Sequence, residues 1–120
     1  MSLIDKNNST SIIMKLFGKF LRKIRLDNNL TLTQMGAKIG IDSANLSKIE
    51  NGKRDFDEKK IVILSKEFNI NINEIKKEYY SEKIAKIIYK EKDAYEFLKL
   101  AETKVKYFKS INVKQSKIEL

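Results

Sequence analysis

The sequence predicts an all-α fold with additional helices toward its C-terminal end. The 120 residues include no proline and only four glycines, so signals for turns between strands are few. Apolar residues recur every three or four positions, as they do along one face of a helix. Several segments also open with a helix-capping pattern. A chain of this length has room for one core.

The first predicted helix runs from near Leu16 to near Asn28. Its apolar stripe at helical spacing is made of Phe17, Phe20, Leu21 and Ile24. Asn28 and Asn29 should end it, because asparagine tolerates the left-handed conformation at a helix terminus. The preceding segment, residues 1–13, shows no apolar periodicity and is expected to be flexible.

The second predicted helix starts at a capping box, in which Thr31 and Gln34 each satisfy a backbone amide of the other. Its inward-facing residues are Met35 and Ile39. Glycine at position 36 is small where the helix would approach a neighbour closely. Gly40 then suits a left-handed turn residue after the helix.

The third predicted helix follows at once, with Asp42 or Ser43 as its N-cap. Leu46 and Ile49 define its buried side, and Gly52 ends it. Its outer side carries the residues Ser43, Ala44, Asn45, Ser47 and Lys48. Short or hydrogen-bonding side chains on an exposed helix are what reading DNA in the major groove requires. The spacing of the two helices fits a helix-turn-helix.

Three further helices are expected, each opened by side chains that can cap a helix. The caps are Asp55 or Asp57 for the fourth helix, Asn71 with Glu74 for the fifth and Asp93 with Glu96 for the last. The fourth helix should bury Ile61, Leu64 and Phe68. Val62 and Ile63 lie outside that face, so they either extend the core or meet a partner. The chain after about Ser110 is expected to be frayed.

Positive charge collects around the helix-turn-helix. The whole chain carries a net charge of +9, and residues 15–54 contain nine basic side chains against three acidic ones. A phosphate-binding surface requires such a concentration. The alternative reading is that the lysines serve solubility.

Composition excludes several other functions. The chain has neither cysteine nor histidine, so a disulfide framework, a thiolate metal site and the commonest general base are absent. Glu74, Glu78 and Glu82 are spaced as on a solvated helix face among lysines. We therefore expect no enzyme activity, no cofactor and no small-molecule ligand. No apolar run approaches the length of a membrane helix, and a cytoplasmic location is expected.

The segment from Leu30 to Arg54 resembles a known family. Its quoted elements are Leu30-Thr31, Met35-Gly36, Ile39-Gly40-Ile41 and the string from Leu46 to Arg54, LSKIENGKR. They look like the phage-repressor/Cro type of helix-turn-helix, also called the XRE family, over residues 17–75. The resemblance implies a compact five-helix repressor-like domain that binds operators as a dimer.

The resemblance also implies roles for individual residues. Base contacts are implied for Ser43, Ala44 and Lys48. Phosphate contacts are implied for Thr31, Asn45, Asn51, Lys53 and Arg54. The family commonly has glutamine directly after the position of Thr31, where this sequence has Leu32. That side-chain anchor is absent, so Thr33 or Gln34 is expected to share the phosphate contact. Arg25 and Glu50 match a pair that forms a buried ion pair in the family.

Residues beyond Ile75 resemble a narrower group of these regulators, which carry extra C-terminal helices and are often encoded beside DNA methyltransferase and restriction genes. The stretches concerned are residues 80–94, 101–102 and 106–109. They suggest a controller of restriction-modification genes. The alternative is an antitoxin-like autoregulator whose C-terminal helices bind a partner protein.

The expected organisation is a flexible segment at 1–13, the helix-turn-helix domain at 14–75, a helical dimerisation extension at 76–110 and a frayed tail at 111–120. A homodimer is predicted because apolar residues exceed what one small domain easily buries. They are Val62, Ile63, Ile84, Ile87, Ile88, Phe97 and Phe108. The alternative is that these residues complete a monomeric core.

Overall fold

The computed structural model describes residues 16–119, and the expected flexible segment at 1–13 lies outside them. All regular secondary structure in the described part is helical, so the predicted all-α fold is confirmed. The helices are α1 (Phe17–Asp27), α2 (Leu32–Ile39), α3 (Ser43–Glu50), α4 (Ile61–Phe68), α5 (Ile72–Ile88) and α6 (Ala94–Glu119), with a 3-10 turn at Glu58–Lys60. None of the helices described is long and apolar enough to cross a membrane.

The chain divides into two compact units, Met1–Lys83 and Ile84–Leu120. The predicted domain end at Ile75 stays a prediction. Beyond it in α5, Tyr79 is buried and its hydroxyl donates to the carbonyl of Phe56 at 3.0 Å. This part of α5 therefore belongs to the core of the first unit.

The core of the first unit is apolar and draws on every helix from α1 to α5. Its buried residues are Phe17, Leu21, Ile24, Met35, Ile39, Leu46, Ile49, Phe56, Ile61, Leu64, Ile75 and Tyr79. Helix α1 packs against α3, while α2 packs against both α3 and α4. The part of the core next to the start of α1 is aromatic. The centre of the Phe17 ring lies 5.0 Å from that of Phe56 and 5.4 Å from that of Tyr79.

Local interactions set the helix ends where the sequence places them. Asn29 (φ 56°) and Gly40 (φ 75°) adopt the left-handed conformation after α1 and α2. Gly36 has a different reason, because a Cβ atom there would collide with the carbonyl oxygen of Ile41. The predicted cap of the fourth helix is wrong in detail: Asp57 caps the 3-10 turn, accepting from the amide of Lys59 at 3.0 Å, and α4 follows Lys60 without a side-chain cap.

The second unit is the end of α5 and the whole of α6. Helix α6 begins after Asp93, as predicted, and extends over Ala94–Glu119; fraying after about Ser110 stays a prediction. None of the buried core residues comes from this unit as far as it is described. Most of its large apolar side chains are exposed, whereas Ile88 and Ile111 are half-buried. The exposed ones are Ile84, Ile87, Tyr89, Tyr95, Phe97, Leu98, Leu100, Val105, Tyr107, Phe108 and Val113.

Candidate nucleic-acid interface

Helix α3 packs into the core on one side and presents a polar face to solvent on the other. Leu46 is fully buried and Ile49 is 5% exposed, so the helix cannot rotate without losing core packing. Ser43, Ala44 and Lys48 are exposed on the other side, while Asn45 and Ser47 are half-buried. The three side chains to which the resemblance assigns base contacts therefore lie together on the solvent-facing surface. Their contact with bases stays a prediction.

The N-terminal end of α3 holds a short hydrogen-bonded network. Asp42 is the N-cap, and its Oδ1 accepts from the backbone amide of Asn45 at 2.8 Å. The other oxygen, Oδ2, accepts from Nδ2 of Asn45, also at 2.8 Å. Oδ1 of Asn45 in turn accepts from Nη1 of Arg54 at 3.0 Å. Two residues assigned to phosphate contacts, Asn45 and Arg54, are thus bonded to each other.

The C-terminal end of α3 places the other assigned residues. Asn51 follows the helix and donates from Nδ2 to the carbonyl oxygen of Ser47 at 2.9 Å. Gly52 (φ 74°) turns the chain, and the amide of Lys53 donates to the carbonyl of Lys48 at 2.8 Å. Lys53 and Arg54 are both exposed. Two cations therefore lie just past the helix, on a short turn fixed by backbone hydrogen bonds.

The start of α2 has the predicted capping box. The hydroxyl of Thr31 accepts from the amide of Gln34 at 3.1 Å, and Oε1 of Gln34 accepts from the amide of Thr31 at 2.9 Å. Thr33 is exposed beside them, whereas Leu32 is half-buried and packs against the core. Leucine at position 32 thus contributes apolar packing where a glutamine would contact phosphate. Thr31, Thr33 and Gln34 remain at the surface.

Arg25 and Glu50 form the ion pair that the resemblance implies. Nε and Nη2 of Arg25 donate to the two carboxylate oxygens of Glu50 at 2.8 and 3.0 Å. The arginine side chain is 13% exposed and the glutamate 4%. Nη1 also donates to the carbonyl of Leu30 at 3.1 Å. The hydrogen bond to Glu50 raises the pKa of Arg25, and the pair ties the end of α3 to α1 and to the loop before α2.

Two further contacts that position the helix-turn-helix have no signal in the sequence. Nζ of Lys60 donates to the carbonyl oxygen of Gly40 at 3.1 Å and thereby holds the turn between α2 and α3. A carboxylate oxygen of Glu82 accepts from the amide of Phe17 at 3.1 Å and caps the first turn of α1. Each pair is far apart in the chain, so no local pattern predicts it. No cluster of metal-ligating side chains occurs among the described residues.

Two helices joined by a tight turn, the second with an exposed polar face, define a helix-turn-helix unit. Residues 21–75 match the family model described as Helix-turn-helix. These residues are a helix-turn-helix domain of the XRE type.

Curated relatives carry the same domain. Over 41 residues the chain is 51% identical to the "Uncharacterized HTH-type transcriptional regulator RghRB" of Bacillus subtilis (strain 168). Over 41 residues it is 44% identical to the "HTH-type transcriptional repressor RghR" of the same organism. Each match covers 34% of this chain and 30% of the relative, so the chain matches less than a third of their length. Among the solved structures, none matches the chain at a significant level.

Proposed function

We propose that this protein is a sequence-specific double-stranded DNA-binding transcriptional regulator that acts as a homodimer on a two-fold operator. The observation that carries the proposal is the outer face of α3. Ser43, Ala44 and Lys48 are exposed there, on the side of the helix opposite the buried Leu46 and Ile49. In this mode α3 enters the major groove and its outward side chains contact base edges. The preceding helix, α2, crosses the DNA backbone.

The phosphate contacts surround α3 on both sides. They are Thr31, Thr33, Gln34, Asn45, Asn51, Lys53 and Arg54. Lys53 and Arg54 supply charge just beyond the helix, and each phosphate that they neutralise releases a counterion. A hydroxyl that accepts one hydrogen bond retains its own proton, so Thr31 can cap α2 and donate to a phosphate at once. The anchoring that glutamine commonly provides in the family is shared among these side chains.

The homodimer is proposed from the second unit. Phe97, Tyr107 and Phe108 are 45%, 61% and 60% exposed. A run of exposed aromatic and aliphatic side chains on one short unit normally marks an interaction surface. A second copy of the same chain suits a regulator of this class, because two recognition helices about 34–36 Å apart read two half-sites on one face of the duplex.

Two finer functions share this surface. Control of restriction-modification genes is supported by the resemblance of residues 80–94, 101–102 and 106–109 to regulators of that kind. An antitoxin-like role would use the same apolar side chains to hold a partner enzyme. The two functions differ in the protein that binds α6. A controller of restriction-modification genes needs only a second copy of this chain, whereas an antitoxin needs a partner enzyme.

A gel-shift assay on the DNA directly upstream of the protein's own gene tests the proposal. At a stated moderate salt concentration, the full chain should bind this DNA at least about a thousandfold more tightly than a shuffled duplex of equal length. Equal affinity for both duplexes would refute sequence-specific binding. The stoichiometry of the shifted complex, measured in the same experiment, should be two chains per operator.

A further inference from the structure

The network at the start of α3 removes one side chain from base reading. Asparagine reads adenine through both its amide nitrogen and its amide oxygen. In Asn45 the nitrogen donates to Asp42 and the oxygen accepts from Arg54, at 2.8 and 3.0 Å. Each atom therefore holds one partner within the protein, and adenine reading through both atoms would compete with these two hydrogen bonds. Asn45 holds Arg54 in place rather than contacting a base edge.

The outward face is then left with three chemically distinct side chains. The hydroxyl of Ser43 can donate or accept, so it suits either purine or pyrimidine edges. Ala44 offers only a methyl group, and the major-groove feature that matches it is the methyl group of thymine. Lys48 offers donors and no acceptor, and guanine is the base that presents two adjacent acceptors, O6 and N7.

The ammonium of Lys48 is available for that contact. The side chain is exposed, and within the described residues no hydrogen bond or ion pair holds its Nζ atom. Ala44 and Lys48 are one helical turn apart, which is about 6 Å along the axis. Successive base pairs are about 3.4 Å apart. The two side chains therefore reach bases within about two base-pair steps of each other.

We propose that each half-site contains a guanine read by Lys48 and, within about two base-pair steps, a thymine whose methyl group is read by Ala44. The inference rests on the proposed function and specifies its operator. It also assigns Asn45 to positioning, because the hydrogen bonds of its amide to Asp42 and Arg54 fix its orientation and hold Arg54 in place.

The test begins with selection of bound duplexes from a random library by the full chain. Enriched half-sites should share the guanine and the thymine. Two base analogues are then introduced into the selected duplex. Uracil in place of thymine removes only the methyl group, and 7-deazaguanine in place of guanine removes only the N7 acceptor. We expect about a fourfold loss of affinity for the uracil duplex and a loss for the 7-deazaguanine duplex, because one of the two acceptors for Lys48 is removed. Replacing the guanine by another base should cause a roughly 5- to 150-fold loss.

Substitutions in α3 test which side chain contacts each base. Lys48→Gln should move the preference from guanine to adenine, because glutamine pairs with N6 and N7 of adenine. Ala44→Gly should bind thymine and uracil duplexes equally. Asn45→Ala is the matched control on the same helix, and it should weaken all duplexes alike while the enriched sequence stays the same.

The outcomes separate this inference from the proposed function. A wild-type chain that enriches no sequence overturns both. Enriched two-fold sites without the guanine and thymine, or full affinity for the uracil duplex, overturn the inference and leave the regulator intact. A changed base preference in Asn45→Ala would show that Asn45 reads a base, which also overturns it.

Discussion

Replacing Glu50 with glutamine should destabilise the helix-turn-helix far more than the loss of one surface charge. The change keeps the shape of the side chain and removes its charge. Both hydrogen bonds to Arg25 are short, at 2.8 and 3.0 Å, and the two side chains are only 13% and 4% exposed. In Glu50→Gln the guanidinium stays where solvent reaches it poorly and loses the charge that compensates it.

Breaking a buried pair by removing one partner costs about 3–5 kcal/mol. Small domains are stable by about 5–15 kcal/mol in total, so the variant should lose a large fraction of its stability. For a unit of this size each kcal/mol lowers the melting temperature by roughly 4–8 °C. We therefore expect the thermal midpoint, followed by circular dichroism at the helical signal, to fall by about 12 °C or more.

The matched control is Asp27→Asn on α1. Asp27 accepts from Lys23 at 2.7 Å, but both side chains are 61% exposed, and exposed pairs contribute about 0–1 kcal/mol. The double variant Arg25→Met with Glu50→Leu should recover much of the loss, because it leaves no unpaired charge behind. Equal midpoints for Glu50→Gln and Asp27→Asn would refute the argument that burial makes this pair important.

Three further predictions concern binding and assembly. Lys48→Ala should cost about 1–3 kcal/mol on the cognate duplex and little on random DNA, and an equal loss on both would make Lys48 a phosphate contact. Alanine at Lys53 or Arg54 should weaken all sequences alike and reduce the slope of log K against log salt by about one, and an unchanged slope would exclude a phosphate contact. Phe108→Glu on α6 should convert a dimer into a monomer in light scattering at micromolar concentration, whereas Leu26→Glu, at a residue 52% exposed on α1, should leave the mass unchanged. A wild-type monomer that stays monomeric with a palindromic operator would contradict the dimer.

Features determined by neighbouring residues could be predicted from the sequence. Thr31 and Gln34 are three positions apart, so their capping box is visible as a pattern, and both of its hydrogen bonds are present. The N-cap at Asp42 and the left-handed glycine at position 40 are equally local. For these features the interacting groups lie within one helical turn, and the sequence alone specifies the geometry.

Contacts between distant residues could not be predicted in the same way. Lys60 bonds to the turn at Gly40, and Glu82 caps the first turn of α1. A surface lysine has the same sequence signal whether its ammonium is solvated or donates to a carbonyl group. The same holds for a glutamate whose carboxylate is solvated or accepts from a backbone amide. The ion pair of Arg25 with Glu50 was expected only through resemblance to a family, since neither residue alone predicts a buried partner.

The chemistry of α3 supports the proposed homodimer. Of its outward side chains only Lys48 can make a two-point contact with a base, and such a contact discriminates by about 1–3 kcal/mol. A regulator that distinguishes its operator from other genomic DNA needs about 4–10 kcal/mol. Two copies roughly double the discrimination, to about 2–6 kcal/mol from lysine alone, and the smaller contributions of Ser43 and Ala44 are doubled with it. We propose that two copies of the chain associate through the apolar side chains of α6 and that this association doubles the discrimination.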